Sequence, residues 1–176
     1  MATVHTPGTA ELHPRPSLVA EPAITIRRAQ LVDVLQLAAL VNGYAAQRLL
    51  LPRTTEQVAL ALDNYVVAVD AGGRVLACAA LEEYSPSVAE IASVAVDRAF
   101  QGHGLGSQVV AAAEQVARQR GFVQVFAMSL AERFFRALGY DTIPIEAYPE
   151  KMARYERLVA EGVDIVPKDC FAKSIA

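Results

Sequence analysis

Two cysteines in 176 residues, Cys78 and Cys170, are too few and too far apart for a disulfide framework or a metal-ligand spacing. Cys78 stands inside an apolar run, which suits a buried thiol. A chain this poor in cysteine points by default to a reducing, cytoplasmic compartment. No run of about 18 apolar residues occurs, so no membrane span is expected. The opening stretch, MATVHTPGTAELHPRPSLVAEP, lacks the basic start and apolar centre of a secretory signal. Positive charge is not in excess either: the net charge is −3, whereas non-specific nucleic-acid binding wants a basic surface. No nucleic acid, membrane or metal is therefore expected as a partner. A local anion site stays open.

What is present is apolar substance. The chain is 53% hydrophobic, enough for a sizeable core in one domain. Residues 1–22 carry Pro7, Pro14, Pro16 and Pro22 among small and polar residues and read as a disordered arm. Residues 23–176 read as the folded domain. ITIRR (24–28) is a short strand. Leu31, Val34, Leu35, Ala38 and Val41 then recur at helical spacing, with Asn42-Gly43 as a stop unless Tyr44 and Ala45 carry the helix on. Pro52 keeps Leu51 out of helical geometry, so 51–53 is an extended link. Thr54 or Thr55 caps a helix to about residue 63. Strands come next at 65–70 and 74–81, joined by AGGR, with the second buried on both faces. A polar turn over 82–87 leads to a strand at 89–96. Then come a helix to about Arg120, a strand at 122–128, a helix at 130–138 and a strand from Tyr140. The stretch 148–161 looks helical, and the tail from Gly162 is unassigned. The order predicts a mixed α+β domain around one sheet.

The stretch FQGHGLGSQVV (100–110) holds Gly102, Gly104 and Gly106 between a strand and a helix. A dinucleotide fingerprint starting at Gly102 needs its third glycine at position 107, which is Ser107. A phosphate loop of the Walker type needs a lysine, and none is near. Q/R-x-x-G-x-G/A fits, with Gln101, Gly104 and Gly106. The first amides of a helix lack internal partners and its dipole favours an anion there. Glycines let a pyrophosphate approach the backbone without a Cβ clash. A tight strand-to-helix turn is the competing explanation of the same six residues.

This loop, the short apolar strand SVAV before it and FFRALGY (134–140) together resemble the GNAT superfamily of N-acetyltransferases over about residues 24–145. The resemblance implies a GNAT-like, mostly antiparallel central sheet with a splayed strand pair, 90–96 and 122–128, flanked by helices. It implies acetyl-CoA as co-substrate. The backbone of Val94, Ala95 and Val96 would pair with the pantetheine arm, and Gln101, Gly102, His103, Gly104, Leu105, Gly106 and Ser107 would hold the pyrophosphate. LLLPRT (49–54), LACAAL (76–81), AEIASVAV (89–96) and YPEKMARYERL (148–158) are further similar to bacterial N-acetylglutamate synthases. In those terms Glu90 is the general base, Leu51 and Arg53 hold a small amine acceptor, L-glutamate, and Ser93 is the next contact along the strand. An amide near Val94 would meet the oxyanion. Arginine biosynthesis would be the setting, and a homodimer is compatible with the resemblance.

The pattern has departures. The tyrosine that many superfamily members use to protonate the leaving thiolate is Phe135 here, with Tyr140 and Ser129 nearby. A Thr-Arg pair found after the fifth strand of some synthases is Ser129-Leu130, which removes a carboxylate clamp that Arg133 or Arg136 would have to replace. Glu90 and Ser93 fall on opposite faces of a regular strand and share a site only if that strand bulges. Another small amine, a peptide N-terminus, or an acyl-CoA-binding module without chemistry are the alternatives.

Overall fold

The computed structural model describes residues 23–176; the expected arm, residues 1–22, lies outside the described residues. The strands are β1 (Thr25–Arg28), β2 (Tyr65–Val69), β3 (Val75–Ser85), β4 (Val88–Val96), β5 (Gln124–Ser129), β6 (Asp141–Ile143) and β7 (Asp169–Ser174). The helices are α1 (Val34–Ala45), α2 (Thr55–Leu60), α3 (Leu105–Gln119), α4 (Glu132–Ala137) and α5 (Pro149–Ala160). The strands make one sheet in the order β1-β2-β3-β4-β5-β7-β6. Every neighbouring pair is antiparallel except β4 and β5, which run parallel. This is the mixed, mostly antiparallel sheet the sequence predicts.

Alternation along β2 sorts its side chains between two cores. Val66 and Ala68 join α3, whose Leu105, Val109, Val110, Ala113, Val116 and Ala117 cover one face. Tyr65, Val67 and Val69 join α1 and α2 on the other, with Leu37, Ala38, Val41 and Val58. A third cluster, Phe126, Tyr148, Cys170 and Ala172, lies where α5 begins. Phe126 and Tyr148 stack there with ring centroids 4.0 Å apart.

Two expectations are corrected, the helix phase and the turn, and two open points are decided. Leu31 and Leu35 are solvent-exposed, and the buried stripe of α1 is Val34, Leu37, Ala38 and Val41. Residues 31–33 form a separate 3-10 turn that rotates the stripe away from the expected phase. Helix α1 also continues through Asn42-Gly43 to Ala45. The polar turn expected over 82–87 is mostly strand: β3 runs to Ser85, because Glu82, Glu83 and Ser85 keep pairing with β4. The unassigned tail supplies β7, which inserts between β5 and the edge strand β6.

Asp33 ties the start of α1 to β1. It is fully buried, accepts from both terminal nitrogens of Arg27 at 2.7 and 3.0 Å, and accepts from the Gln30 amide at 2.7 Å. Burial by itself would raise this carboxyl; the Arg27 and Gln30 donors outweigh it and hold it below its ordinary 3.8. A group lowered on folding contributes stability that is complete above its unfolded value and is lost as pH falls through the folded one. Asp33→Asn should therefore lower the urea midpoint at neutral pH and flatten the loss of stability below about pH 4. Urea melts at several acid pH values check this; an Asn variant with the wild-type acid slope would show that Asp33 does not contribute to it.

Candidate active site

Parallel pairing between β4 and β5 runs only from Val88–Gln124 to Glu90–Phe126, and then the strands part. Beyond Glu90 the backbone of β4 has no neighbour on that side among the described strands. An extended ligand can pair with such an edge as an added strand would.

On its other side β4 bulges. Ala92 pairs with Ala80 and Ala95 with Cys78, so Ser93 and Val94 together stand opposite Ala79. Ser93 takes a φ of +51°, unusual for a residue with a Cβ. The extra residue shifts the alternation. Ile91 and Val94, three apart, both face the α3 core, while Ala95 faces the α1 core. Glu90 and Ser93 consequently line one cleft. The Cys78 thiol lies beneath, donating to the Ser93 carbonyl at 3.3 Å. Burial pushes that thiol up to about 12, so it is an inert prop as expected.

The cleft encloses about 580 Å³ including the space at its open mouth. Leu51 and Arg53 line it from the link before α2, and Val94, Met128 and Ser129 from the parted strands. Arg53 is placed by its backbone: the Asn42 side chain accepts from its N–H at 2.9 Å and donates to its carbonyl at 2.8 Å. Thr54 then caps α2 in a reciprocal box with Gln57. The Arg53 guanidinium bonds to Glu82, which also takes Arg154 of α5. Burial, then the nearby charge of Arg53, lower the Arg154 guanidinium from its ordinary value.

Glu90 is nearly buried and is gripped at both oxygens by Lys151 Nζ, at 2.9 and 2.7 Å. Tyr155 and Lys168 complete the wall. Lys168 Nζ donates to the Leu49 carbonyl at 2.7 Å. Burial, then Lys151, push this ammonium below its usual value.

Sequence reasoning does not single out Lys151, Arg154, Tyr155 or Lys168. A signal exists for three of them: positions 151, 154 and 155 share one face of α5 by the i, i+3, i+4 rule. Lys168 has none, since its segment carries no periodicity.

At the other end of the parted strands, Gly104 caps α3 with a left-handed φ of +78°, and Gly102 has the same value. Gln108 N–H is the first to bond back, to Gly104 O, so the amides before it are open to an anion. Gly106 is needed for packing: a Cβ there would meet the Phe134 ring at 3.3 Å. Leu105 turns its side chain into the core. Gln101 donates to the Tyr44 hydroxyl at 2.7 Å, and Tyr44 donates to the Val96 carbonyl at 2.5 Å. Helix α1 thereby ties the loop to the end of β4. His103 is exposed, with Nδ1 2.9 Å from the Gln101 carbonyl. The Ala95 side chain points into the α1 core, leaving its backbone for contact.

Neither Arg133 nor Arg136 lines the cleft; Arg136 bonds to Glu132 and Thr142 instead. Tyr140 is buried and donates to Glu114 at 3.0 Å, away from the cleft. Phe135 lines the cleft in the place of the usual tyrosine and stacks on Phe171.

A parted parallel pair, a glycine-capped helix at one end and a cleft with a carboxylate in the middle are what an acyl transferase that uses a CoA thioester would need. The chain matches the acetyltransferase (GNAT) family over residues 32–140 and belongs to it; it is an acetyl-CoA-dependent N-acetyltransferase. It is 34% identical over 147 residues to the amino-acid acetyltransferase of Mycobacterium tuberculosis, covering 80% of this chain and 84% of that one. An uncharacterized N-acetyltransferase of Chlorobaculum tepidum is 34% identical over 129 residues, covering 73% and 83%. Among solved structures, the N-acetylglutamate synthase of Neisseria gonorrhoeae, complexed with coenzyme A and N-acetyl-glutamate, superposes with a TM-score of 0.76 at 25% identity. That match covers 89% of this chain and 36% of the Neisseria protein, so this chain spans little more than a third of its length. No helix among the described residues is long and apolar enough to cross a membrane.

Gly104→Ala puts a Cβ on a left-handed residue, at a cost of about 1–2 kcal/mol in that conformation. It should raise the KM for acetyl-CoA and leave the acceptor KM near wild type, as read by steady-state kinetics with each substrate varied. An unchanged acetyl-CoA KM would remove the loop from donor binding.

Proposed function

We propose that the protein transfers the acetyl group of acetyl-CoA to the α-amine of L-glutamate, with Glu90 as general base. The observation that carries this reading is the meeting of one strand carboxylate, Glu90, with Arg53 and Lys168 in a single cleft beside the parted strands. An amino acid with two carboxylates needs two cationic partners and one base near its amine. Lys168 also fills the role left open by Leu130, since Arg133 and Arg136 stand elsewhere. The named relatives, amino-acid acetyltransferases and an N-acetylglutamate synthase, favour the same acceptor. With glutamate as acceptor, the metabolic setting is arginine biosynthesis.

The thioester supplies an activated acetyl carbonyl. Open amides from Gly102 to Ser107, with Gln101, would hold the pyrophosphate, and the free edge of β4 at Val94, Ala95 and Val96 would align the pantetheine arm. Tyr44 already occupies the Val96 carbonyl, so the open groups on that edge are the earlier ones. Glu90, directly or through a water, takes a proton from the acceptor ammonium, and the neutral amine attacks the carbonyl. A β4 amide near Val94 meets the developing oxyanion. Leu51 and Ser93 shape the space around the acceptor. With Phe135 at the tyrosine position, thiolate release proceeds without a phenol proton from that side chain.

Acetyl transfer to each of the twenty amino acids, read as CoA release, tests the acceptor; glutamate should lead by a wide margin, and a lead by another amine would sink the assignment. Glu90→Gln should lower kcat by about 100-fold or more while acetyl-CoA still binds. Arg53→Ala should raise the KM for the acceptor and leave that for acetyl-CoA alone.

A further inference from the structure

We infer that Lys151 is a positioning residue for acetyl transfer: from α5 it fixes the Glu90 carboxylate by both oxygens and aims the lone pairs that remain at the acceptor cleft. This rests on the reading of Glu90 as the base.

The geometry ties Lys151 closely to Glu90. Its side chain is 3% exposed and that of Glu90 is 5% exposed. An ammonium has three protons. Two point at Glu90, and the group is otherwise enclosed by the rings of Tyr155 and Tyr84, at 4.5 and 5.7 Å. One proton is left over, on a side chain enclosed by the two rings and far less exposed than that of Arg53. Lys151 therefore acts through Glu90. A carboxylate has about four lone-pair sites. Lys151 takes two, and Glu90 lines the same cleft as Ser93 and Leu51.

Stability alone is a poor reason for this pair. Desolvating two charges costs several kcal/mol per ion, and apolar residues of the same size often serve the fold as well or better. Phe126, Tyr148 and Cys170 form an apolar cluster close by, so an apolar residue would be at home at 151. What an apolar residue would lose is the fixed orientation of Glu90. Position 151 also lies beyond residues 32–140, the span shared with the family at large. The part that orients the carboxylate thus comes from the segment after the common domain.

A double-mutant cycle of Lys151→Met and Glu90→Gln tests the inference, with kcat and both KM values measured with acetyl-CoA and L-glutamate, or with the amino acid the screen selects. Lys151→Met should lower kcat by at least about tenfold and leave the acetyl-CoA KM within about twofold. The double variant should be no slower than Glu90→Gln alone, because Lys151 has nothing to position once the carboxylate is gone. It has no unpaired buried charge, so it reports even where Lys151→Met folds poorly. Lys151→Arg, which keeps a charged two-pronged donor, should recover part of the rate that Met loses; a packing role predicts the reverse order. Wild-type kcat in Lys151→Met, or losses that multiply in the double variant, would overturn the inference. Full activity in Glu90→Gln is a different result: it removes the base itself.

Discussion

Helix α5 has one buried residue, and it is a lysine. Amphipathic helices ordinarily dock through an apolar stripe. Here Met152, Tyr155 and Leu158 are only partly covered, and the deepest contacts are ionic. Lys151 meets Glu90, and Arg154 meets Glu82. Those two glutamates stand directly opposite each other on β3 and β4. Like charges in that relation repel, by roughly 0.2–1 kcal/mol even on an exposed sheet and by more where water is scarce. The sheet alone offers the pair no counter-charge. The cations of α5 and Arg53 of the link make the arrangement tolerable. The carboxylate cleft and the docking of α5 are thus one interaction: removing a cation leaves a buried charge, at about 3–5 kcal/mol.

Strand β4 carries the consequences. Its first residues pair on both sides and are rigid. Glu90 is the last residue paired with β5, so it has a firm backbone and an open flank. Three residues later the bulge turns Ser93 into the same cleft and leaves Ser93 and Val94 opposite one residue of β3. A non-glycine residue at positive φ stores strain, which persists only where its surroundings fix it. The Cys78 thiol bonded to the Ser93 carbonyl and the close packing of Ile91 and Val94 into the α3 core supply that fixing. Beyond the bulge, Tyr44 holds the Val96 carbonyl and, through Gln101, the glycine loop. Glu90, the bulge at Ser93 and Val94, and the glycine loop follow one another along and just after one strand whose irregularities set their directions.

Much of this was legible as pattern. Gln101, Gly104 and Gly106 announce a helix start that needs bare backbone, and AEIASVAV shows a carboxylate opening an apolar strand. The two differ in what the pattern can carry. The left-handed cap at Gly104 is a local requirement, and local sequence states it. The shared direction of Glu90 and Ser93 depends on a bulge, and a strand of small apolar residues looks the same with or without one. The phase of α1 failed for a related reason. Leu31 and Leu35 satisfy the helical period, but the 3-10 turn held by Asp33 rotates the helix that continues from it, and Asp33 owes its burial to Arg27 on a different element. The tail hid β7 because DCFAKS is short and mixed. It is a strand through its partners on both sides, β5 and β6, rather than through its own propensity. Gly106 is a quieter case: the pattern reads it as room for a ligand, and the fold uses it as room for Phe134.

The two halves of the site differ in origin, and the ion pairs explain how they stay in register. The features proposed for the donor side lie within residues 32–140, where the family match runs: the parting of β4 from β5, the α3 cap and the Tyr44 tie. Acceptor-side features come in good part from after it, from α5 and from the segment that leads into β7. A helix held to the sheet by apolar contact alone could slide or rotate by a fraction of a turn at little cost, since such contacts are non-directional. A helix held by Lys151 on two oxygens of one carboxylate, and by Arg154 on the carboxylate opposite, is fixed in both rotation and height. The charges that are costly to bury therefore do what an apolar stripe would do poorly. They set α5, the proposed acceptor wall, against Glu90 on the strand that also carries the proposed donor edge.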